Sequence, residues 1–297
     1  MCGIVGLLIK NPLMRAQLGE LLMPMMLGMT QRGPDSAGLA VYTEHAQGAL
    51  KYSLFCDVDG FSWERLAQDC EARFGKKASL VIQGQHVVLT CDLAPDMFKQ
   101  WLSAHAPQVI FLSAGHSIEL YKDIGTPAEV AERYRFSKLQ GSHAIGHTRM
   151  ATESAVTPNR AHPFTAGEDF CLVHNGSLSN AHDLRRKLEP QGIHFDTDND
   201  TEAACRFLEW RMREGDDLSA AITHGFDALD GFYTFLIGTE NAMALVRDPF
   251  ACKPAVVAET DDYVAIASEF HALAHLPNVK NATIYEPAPK EIYLWTV

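Results

Sequence analysis

Residues 2–9 read Cys-Gly-Ile-Val-Gly-Leu-Leu-Ile, an apolar run near the start of the chain. A run of this length and composition predicts a buried β-strand. Its two glycines, Gly3 and Gly6, allow another backbone or a ligand to approach the strand closely. The stretch therefore predicts a strand that carries Cys2 at its end and packs tightly against neighbouring segments.

Cys2 is the first candidate for a catalytic residue. Taken alone, a cysteine at this position is more often a small core residue. Methionine aminopeptidases remove methionine before small residues, and we expect this to expose an α-amine on Cys2. An α-amine has a pKa near ~8 and can act as a general base at neutral pH. One residue would then supply both the nucleophile and the base.

An arginine and an Asn-Gly pair follow predicted strands further along the chain. Residues 147–152, His-Thr-Arg-Met-Ala-Thr, contain Arg149. Its guanidinium can bind a carboxylate through two N–H groups, or it can form a structural salt bridge. Residues 173–176 read Val-His-Asn-Gly. The Asn175 amide and the Gly176 N–H could form an oxyanion hole, but Asn-Gly is also the strongest short signal for a hairpin turn.

An acidic segment precedes a predicted helix. Residues 198–202 read Asp-Asn-Asp-Thr-Glu. Asp200 or the threonine after it could cap the helix, which is a frequent role for these residue types. A carboxylate at the same place could instead bind the ammonium group of a substrate. Neither interpretation is favoured by the segment alone.

Taken together, these segments resemble the motifs of the class II glutamine amidotransferases, which are N-terminal-nucleophile hydrolases. The resemblance spans essentially the whole chain and keeps the motif order. The matching motifs are Cys2-Gly-Ile-Val-Gly6, Arg32-Gly-Pro-Asp-Ser-Ala-Gly38, His147-Thr-Arg-Met-Ala-Thr152, His162-Pro-Phe164, His174-Asn-Gly176, Asp200-Thr-Glu202, Arg247-Asp-Pro249, Lys253-Pro254 and Ala267-Ser-Glu269. It implies one amidotransferase domain over residues 1–297. The implied fold is α+β, a four-layer αββα sandwich of two packed antiparallel sheets, with an α/β insertion at about 44–140.

The resemblance also implies a chemistry, the hydrolysis of L-glutamine to L-glutamate and ammonia. Cys2 would attack the side-chain amide and form a γ-glutamyl thioester. Arg149 would hold the α-carboxylate of glutamine, and Asp200 its α-ammonium group. Asn175 and Gly176 would stabilise the tetrahedral oxyanion.

Two more residues are expected to bind substrate by the same resemblance, Thr152 and Arg32. The loop after Arg32 corresponds to the segment that closes over glutamine in the family, and Gly33 and Gly38 are candidates for its hinge. Sugar-phosphate synthases of the family have a motif similar to His-Thr-Arg-Trp-Ala-Thr-His at the place of residues 147–153. This chain has Met150 and Glu153 there, which argues against that subgroup.

The subgroup with the most similar motifs is the stand-alone glutaminase of glutamate synthase-like and N-methylglutamate synthase-like enzymes. This likeness rests on two sequence segments, residues 119–127 and 146–154, and on the long insertion. It implies a partner synthase subunit that accepts ammonia and carries a flavin or an iron–sulfur cluster. No cofactor is expected in this chain. The alternatives are another N-terminal-cysteine amidohydrolase and a non-catalytic regulatory subunit.

The net charge, the apolar runs and the cysteine pattern argue against several classes of partner and of site. A formal net charge of −12 argues against binding to nucleic acid or to an anionic membrane, because both require clustered Lys and Arg. No apolar run approaches the ~18–20 residues of a membrane span. Seven scattered cysteines without a Cys-x-x-Cys pair are typical of a cytoplasmic protein. His271 and His275 have a spacing found in metal sites but no third ligand at suitable spacing, so no metal is predicted.

Overall fold

The computed structural model describes residues 2–151 and 156–297. The strands are β1 Gly3–Ile9, β2 Ser36–Tyr42, β3 Leu50–Phe55, β4 Ala78–Gln83, β5 His86–Cys91, β6 Ile110–Gly115, β7 Ile118–Ile124, β8 His143–Arg149, β9 Phe164–Ala166, β10 Phe170–Leu178, β11 Gly231–Thr239, β12 Ala242–Arg247, β13 Val256–Glu259, β14 Tyr263–Ala267, β15 Thr283–Tyr285 and β16 Ile292–Thr296. The α-helices are α1 Leu18–Gly28, α2 Trp63–Phe74, α3 Pro95–His105, α4 Pro127–Arg133, α5 Ala181–Leu188, α6 Asp200–Arg213 and α7 Leu218–Ala228.

Two antiparallel sheets form the centre of the molecule. The first sheet has the order β15-β13-β14-β1-β8-β2-β7, and the second has the order β16-β12-β11-β10-β9. Side chains alternate between the two faces of a strand, so each sheet presents an apolar face to the other. In β1, Ile4 and Leu8 belong to the core between the sheets, whereas Val5 and Leu7 belong to the core under α1.

Helices cover the outer face of each sheet. Buried side chains of α1 and α4 pack on the first sheet around Met26 and Val130. Those of α5, α6 and α7 pack on the second sheet around Leu184, Leu208 and Ile222. The layers therefore run helix, sheet, sheet, helix, and the predicted α+β sandwich is confirmed.

A separate small sheet lies between β2 and β7 in the chain. It has the order β4-β5-β3-β6 and packs against α2 and α3 with its own apolar core. The insertion was predicted at about 44–140, but this sheet ends at Gly115. The next strand, β7, pairs with β2 in the first sheet, and α4 packs on the same sheet. Residues 118–140 thus extend the central sandwich.

Within residues 2–151 and 156–297, no helix has both the length and the apolar character needed to cross a membrane.

Candidate active site

Cys2 lies directly before β1, at the end of the first sheet where β8 finishes. Gly3 pairs with Thr148 across β1 and β8, so Cys2 lies beside Arg149, the last residue of β8. A Cβ atom on Gly3 would come within 2.8 Å of the Cβ atom of Met29 and of Thr148 Oγ1. The glycine after Cys2 therefore lets the start of β1 pack against α1 and β8.

A cleft of about 560 Å³ opens at this end of the strands. Its described lining comes from Cys2, from the ends of β8 and β10, from the segment before β9, and from the starts of α5 and α6. The lining residues are Cys2, Arg149, Met150, Arg160, His162, His174, Gly176, Ser177, Leu178, Ser179, Ala181, His182, Asp198, Asn199, Asp200 and Thr201. We refer to it as the Cys2 cleft. It brings Cys2, Arg149, Gly176 and Asp200 together, although they are far apart in the sequence.

Charges of both signs line the Cys2 cleft. Arg149 and Arg160 come from the end of β8 and from the short 3-10 turn Pro158–Arg160. Asp198 and Asp200 come from the segment that enters α6. Arg160 Nη2 lies 3.0 Å from Asp198 Oδ1, and this ion pair joins the two sides. The distribution suits a small zwitterion, which carries one charge of each sign.

Asn175 and Gly176 lie within β10 and do not form a hairpin turn. Asn175 pairs with Thr234 of β11, and the pairing continues to Leu178. The hairpin interpretation of Asn-Gly is therefore wrong. Gly176 has φ 147°, and a Cβ atom there would meet the carbonyl oxygen of Phe232 at 1.8 Å. Glycine is required here because both the backbone conformation and the neighbouring strand exclude a side chain.

The side-chain amide of Asn175 has an unusual environment. Asn175 is 3% exposed. Its Nδ2 atom is buried without a hydrogen-bond partner in the part of the chain that the structure describes. Most buried donors in proteins are paired, so such an atom calls for an explanation. Asn175 is not among the described residues that line the Cys2 cleft, but it directly precedes Gly176, which is one of them. A donor reserved for a group of the substrate would explain the unpaired Nδ2.

Asp200 is the first residue of α6. The residue that caps this helix is Asn199, whose side chain accepts the N–H of Thr201 at 2.8 Å. The Asp200 carboxylate is left free to point elsewhere, and its Oδ2 accepts the N–H of Leu178 at 2.8 Å. This bond ties the acid to the strand that carries Gly176. The capping role proposed for Asp200 is thus filled by its neighbour.

Arg32 contacts Cys2 through the backbone. Its Nε donates to the carbonyl oxygen of Cys2 at 3.0 Å, and its Nη1 pairs with Glu269. Arg32 is not one of the described residues that line the Cys2 cleft. The contacts describe a side chain that holds Cys2, whereas the sequence predicts one that binds substrate.

Thr152 lies outside the described residues. The chain just before it is anchored by the motif that follows Arg32. Asp35 accepts the N–H of Ala151 on its side chain at 2.7 Å, and its own N–H donates to the carbonyl oxygen of Arg149 at 3.0 Å. The Arg-Gly-Pro-Asp motif thereby supports both the start of β1 and the end of β8.

Three buried histidines cluster at the wall of the Cys2 cleft, and two of them, His162 and His174, are among its lining residues. His147 stacks on His162 with ring centroids 4.0 Å apart, and its Nε2 donates to the carbonyl oxygen of His174 at 3.1 Å. Burial lowers the pKa of His147 to about 3, and it also lowers the pKa of His162 and of His174. All three rings are neutral at pH 7. All three histidines belong to motifs of the sequence, but no local pattern predicts a role for their rings.

Among the described residues, no group of three His, Cys, Asp or Glu side chains is arranged to hold a metal ion. His271 and His275 each contact a backbone carbonyl of α1 instead, at Gly28 and Leu21.

Comparison with known proteins gives consistent findings. The family model of a glutamine amidotransferase domain matches residues 147–275. The chain is 48% identical over 297 residues to the glutamine amidotransferase-like protein GlxB of Rhizobium meliloti (strain 1021), covering 99% of this chain and 98% of the relative. It is 30% identical over 304 residues to a protein of Methanothermobacter thermautotrophicus, covering 99% of both chains.

A solved structure shares the fold. The glutamine phosphoribosylpyrophosphate amidotransferase of B. subtilis superimposes with a TM-score of 0.63 at 22% identity. The match covers 99% of this chain and 47% of that one, so the chain corresponds to about half of the larger protein.

Proposed function

Because the chain belongs to the class II glutamine amidotransferases, we propose that it hydrolyses L-glutamine to L-glutamate and ammonia through a γ-glutamyl thioester on Cys2. One observation carries the proposal. A single cleft is lined by a cysteine, an arginine, an aspartate and a strand-end glycine from four separate segments. Arg149 and Asp200 suit the α-carboxylate and α-ammonium groups of an amino acid. Cys2 and Gly176 suit attack on its side-chain amide.

The proposed reaction has two halves. In the first, the α-amine freed by loss of Met1 takes the thiol proton, and the Cys2 sulfur attacks the amide carbon. Negative charge collects on the former carbonyl oxygen, where Asn175 Nδ2 and the Gly176 N–H would donate. The protonated amine then gives its proton to the leaving nitrogen, and ammonia departs. In the second half, water attacks the thioester with the same amine as base, which releases glutamate and restores the thiol.

Removal of the thiol tests the mechanism. We expect Cys2→Ala and Cys2→Ser to lose glutaminase activity, measured as ammonia and glutamate released, because neither variant has a thiolate. Cys252→Ala is the matched control, since Cys252 is an exposed free cysteine away from the described cleft lining, and it should keep full activity. Activity in Cys2→Ala would exclude the mechanism. So would an active preparation whose intact mass shows that Met1 is retained.

We further propose that the ammonia passes to a partner synthase subunit, resembling glutamate synthase or N-methylglutamate synthase and carrying a flavin or an iron–sulfur cluster. The motif likeness at 119–127 and 146–154 supports this subgroup. We expect the partner to raise kcat/KM for glutamine, by no more than its preference for the active conformation allows. Glutaminase assays with and without the co-purified subunit test this. Equal kcat/KM where the complex demonstrably forms would rule the coupling out.

A further inference from the structure

One buried hydroxyl joins three segments at the wall of the Cys2 cleft. Thr201, in the first turn of α6, is 1% exposed. Its Oγ1 lies 2.8 Å from Nε2 of His162 and 3.0 Å from Nδ1 of His174. His162 precedes β9, and His174 lies in β10. Thr201 is 39 positions from His162 and 27 from His174 in the sequence, and its Oγ1 contacts both rings.

A count of protons restricts how these groups can bond. A hydroxyl has one proton to donate and two lone pairs to accept with. If Thr201 donates to one ring, the other ring must donate its N–H to Oγ1. If Thr201 donates to Asp200 Oδ1, which lies 3.4 Å away, both rings must donate. In either arrangement at least one imidazole is held in a single tautomer by this hydroxyl.

The rings act through hydrogen bonds and not through charge. Burial lowers the pKa of His162 well below the ordinary value, and it lowers the pKa of His174 as well. His147 adds a further constraint, because a carbonyl oxygen only accepts. The bond between His147 Nε2 and the His174 carbonyl therefore fixes the proton of His147 on Nε2. The cluster is a neutral network in a low-dielectric interior, where each hydrogen bond is strengthened.

The two ends of this network adjoin the groups assigned to glutamine. His174 directly precedes Asn175 and Gly176, and Thr201 directly follows Asp200. We propose that Thr201 is a positioning residue whose hydroxyl, through His174, sets the distance between the Asp200 carboxylate and the Asn175–Gly176 donors. The inference rests on the proposed glutaminase function. It adds that the Thr201 hydroxyl acts together with the bond between the Leu178 N–H and Asp200 Oδ2 to hold the α-ammonium site and the oxyanion site in register.

Two variants of Thr201 separate the hydroxyl from the space it fills. Thr201→Val keeps the branched shape and removes the hydroxyl, whereas Thr201→Ser keeps the hydroxyl and removes the methyl group. A small misplacement of reacting groups can cost up to ~100-fold in rate. We expect Thr201→Val to lower kcat at least about tenfold with a smaller change in KM. Thr201→Ser should recover most of kcat.

Nitrogen-15 NMR of labelled histidine gives a readout that does not require turnover. In the wild type at pH 7 we expect His162 and His174 each to show one protonated and one bare ring nitrogen. Thr201→Val should change the tautomer of at least one ring, and Thr201→Ser should not. Because the spectra are independent of activity, a wild type that fails to hydrolyse glutamine would disprove the proposed function and leave this test valid.

Several results would overturn the inference. One is a Thr201→Val enzyme within twofold of the wild-type kcat. Another is a Thr201→Ser enzyme as impaired as Thr201→Val, which would assign the effect to packing of the methyl group. A third is a wild-type spectrum in which both rings are protonated or exchange between tautomers. The wild-type spectrum tests the inference even if Thr201→Val does not fold.

Discussion

At the scale of single residues, Asn175 carries a side-chain donor, Nδ2, that is buried and unpaired within the described part of the chain, directly beside Gly176 of the Cys2 cleft. Leaving a buried donor unpaired costs about 1–3 kcal/mol in stability. The cost is understandable if the donor serves an oxygen whose charge develops only during the reaction, since interactions made only in the transition state raise kcat. The neighbouring Gly176 offers a second N–H from the same strand end.

Replacing this donor should therefore affect turnover more than binding. We expect Asn175→Ala to lower kcat about 10²–10³-fold while KM for glutamine changes little, as for other oxyanion-hole donors. Steady-state kinetics measure both constants. Asn241→Ala, an amide removed from the β11–β12 turn, is the control and should match the wild type. A raised KM with unchanged kcat would exclude the oxyanion role.

At the scale of elements, the segment before β9 is held by a buried lysine. Lys122 in β7 is 4% exposed. Its Nζ donates to the carbonyl oxygens of Asn159, Ala161 and Pro163 at 2.8–3.3 Å. Burial lowers its pKa to about 7. This strand thus fixes the backbone that presents Arg160 and His162 to the Cys2 cleft.

Gly38 supports the same segment by leaving room for it. A Cβ atom on Gly38 would lie 2.1 Å from the carbonyl oxygen of His162. Gly38 is inside β2, which begins at Ser36. The hinge predicted at this glycine is therefore wrong. Its lack of a side chain is required by packing between β2 and the segment that carries His162.

A glycine-to-alanine pair tests this packing. We expect Gly38→Ala to lower the free energy of unfolding by about 1–3 kcal/mol, as overpacking does in well-packed interiors. It should also reduce glutaminase activity, because the segment that carries His162 would be displaced. The control is Gly225→Ala in α7, where the nearest atom to a new Cβ is 3.4 Å away. Alanine favours a helix over glycine by about 0.5–1 kcal/mol, so this variant should be stabilised. Urea unfolding measures both, and equal stabilities would contradict the argument.

At the scale of the whole molecule, buried neutral histidines link stability to pH. Burial lowers the pKa of His86 and His143 to about 4 and that of His147 to about 3. An unfolded histidine titrates near ~6.5. Below that pH the histidines bind protons in the unfolded chain but stay neutral in the folded protein. Acid therefore favours unfolding. The stabilising contribution is complete above about pH 6.5 and is lost as the pH falls towards these low values.

The protein should consequently lose stability steeply between pH 6.5 and 4. Each histidine contributes about 1.4 kcal/mol per pH unit in this window. Urea midpoints at several pH values measure the slope. His143→Gln removes a ring that is bonded to Thr239 and stacked on Tyr42. This variant should lower the pH dependence of the unfolding free energy by the contribution of one histidine, about 1.4 kcal/mol per pH unit. A midpoint that does not change from pH 7 to pH 5 would contradict the prediction.

The sequence by itself determined the family, the α+β sandwich and the candidate residues Cys2, Arg149 and Asp200. These conclusions were accessible through the resemblance to the family, because the order and spacing of the motifs are properties of the chain that do not depend on its partners in space. Only the tertiary structure decided that Asn175 and Gly176 continue a paired strand, where the local pattern equally describes a turn.

The tertiary structure also decided that β7 belongs to the central sheet and that Thr201 lies between His162 and His174. Strand partners and side-chain neighbours depend on which apolar surfaces are buried against each other, and here those surfaces come from segments far apart in the chain. No local pattern encodes such a meeting, because burial and hydrogen-bond satisfaction are resolved over the whole molecule at once.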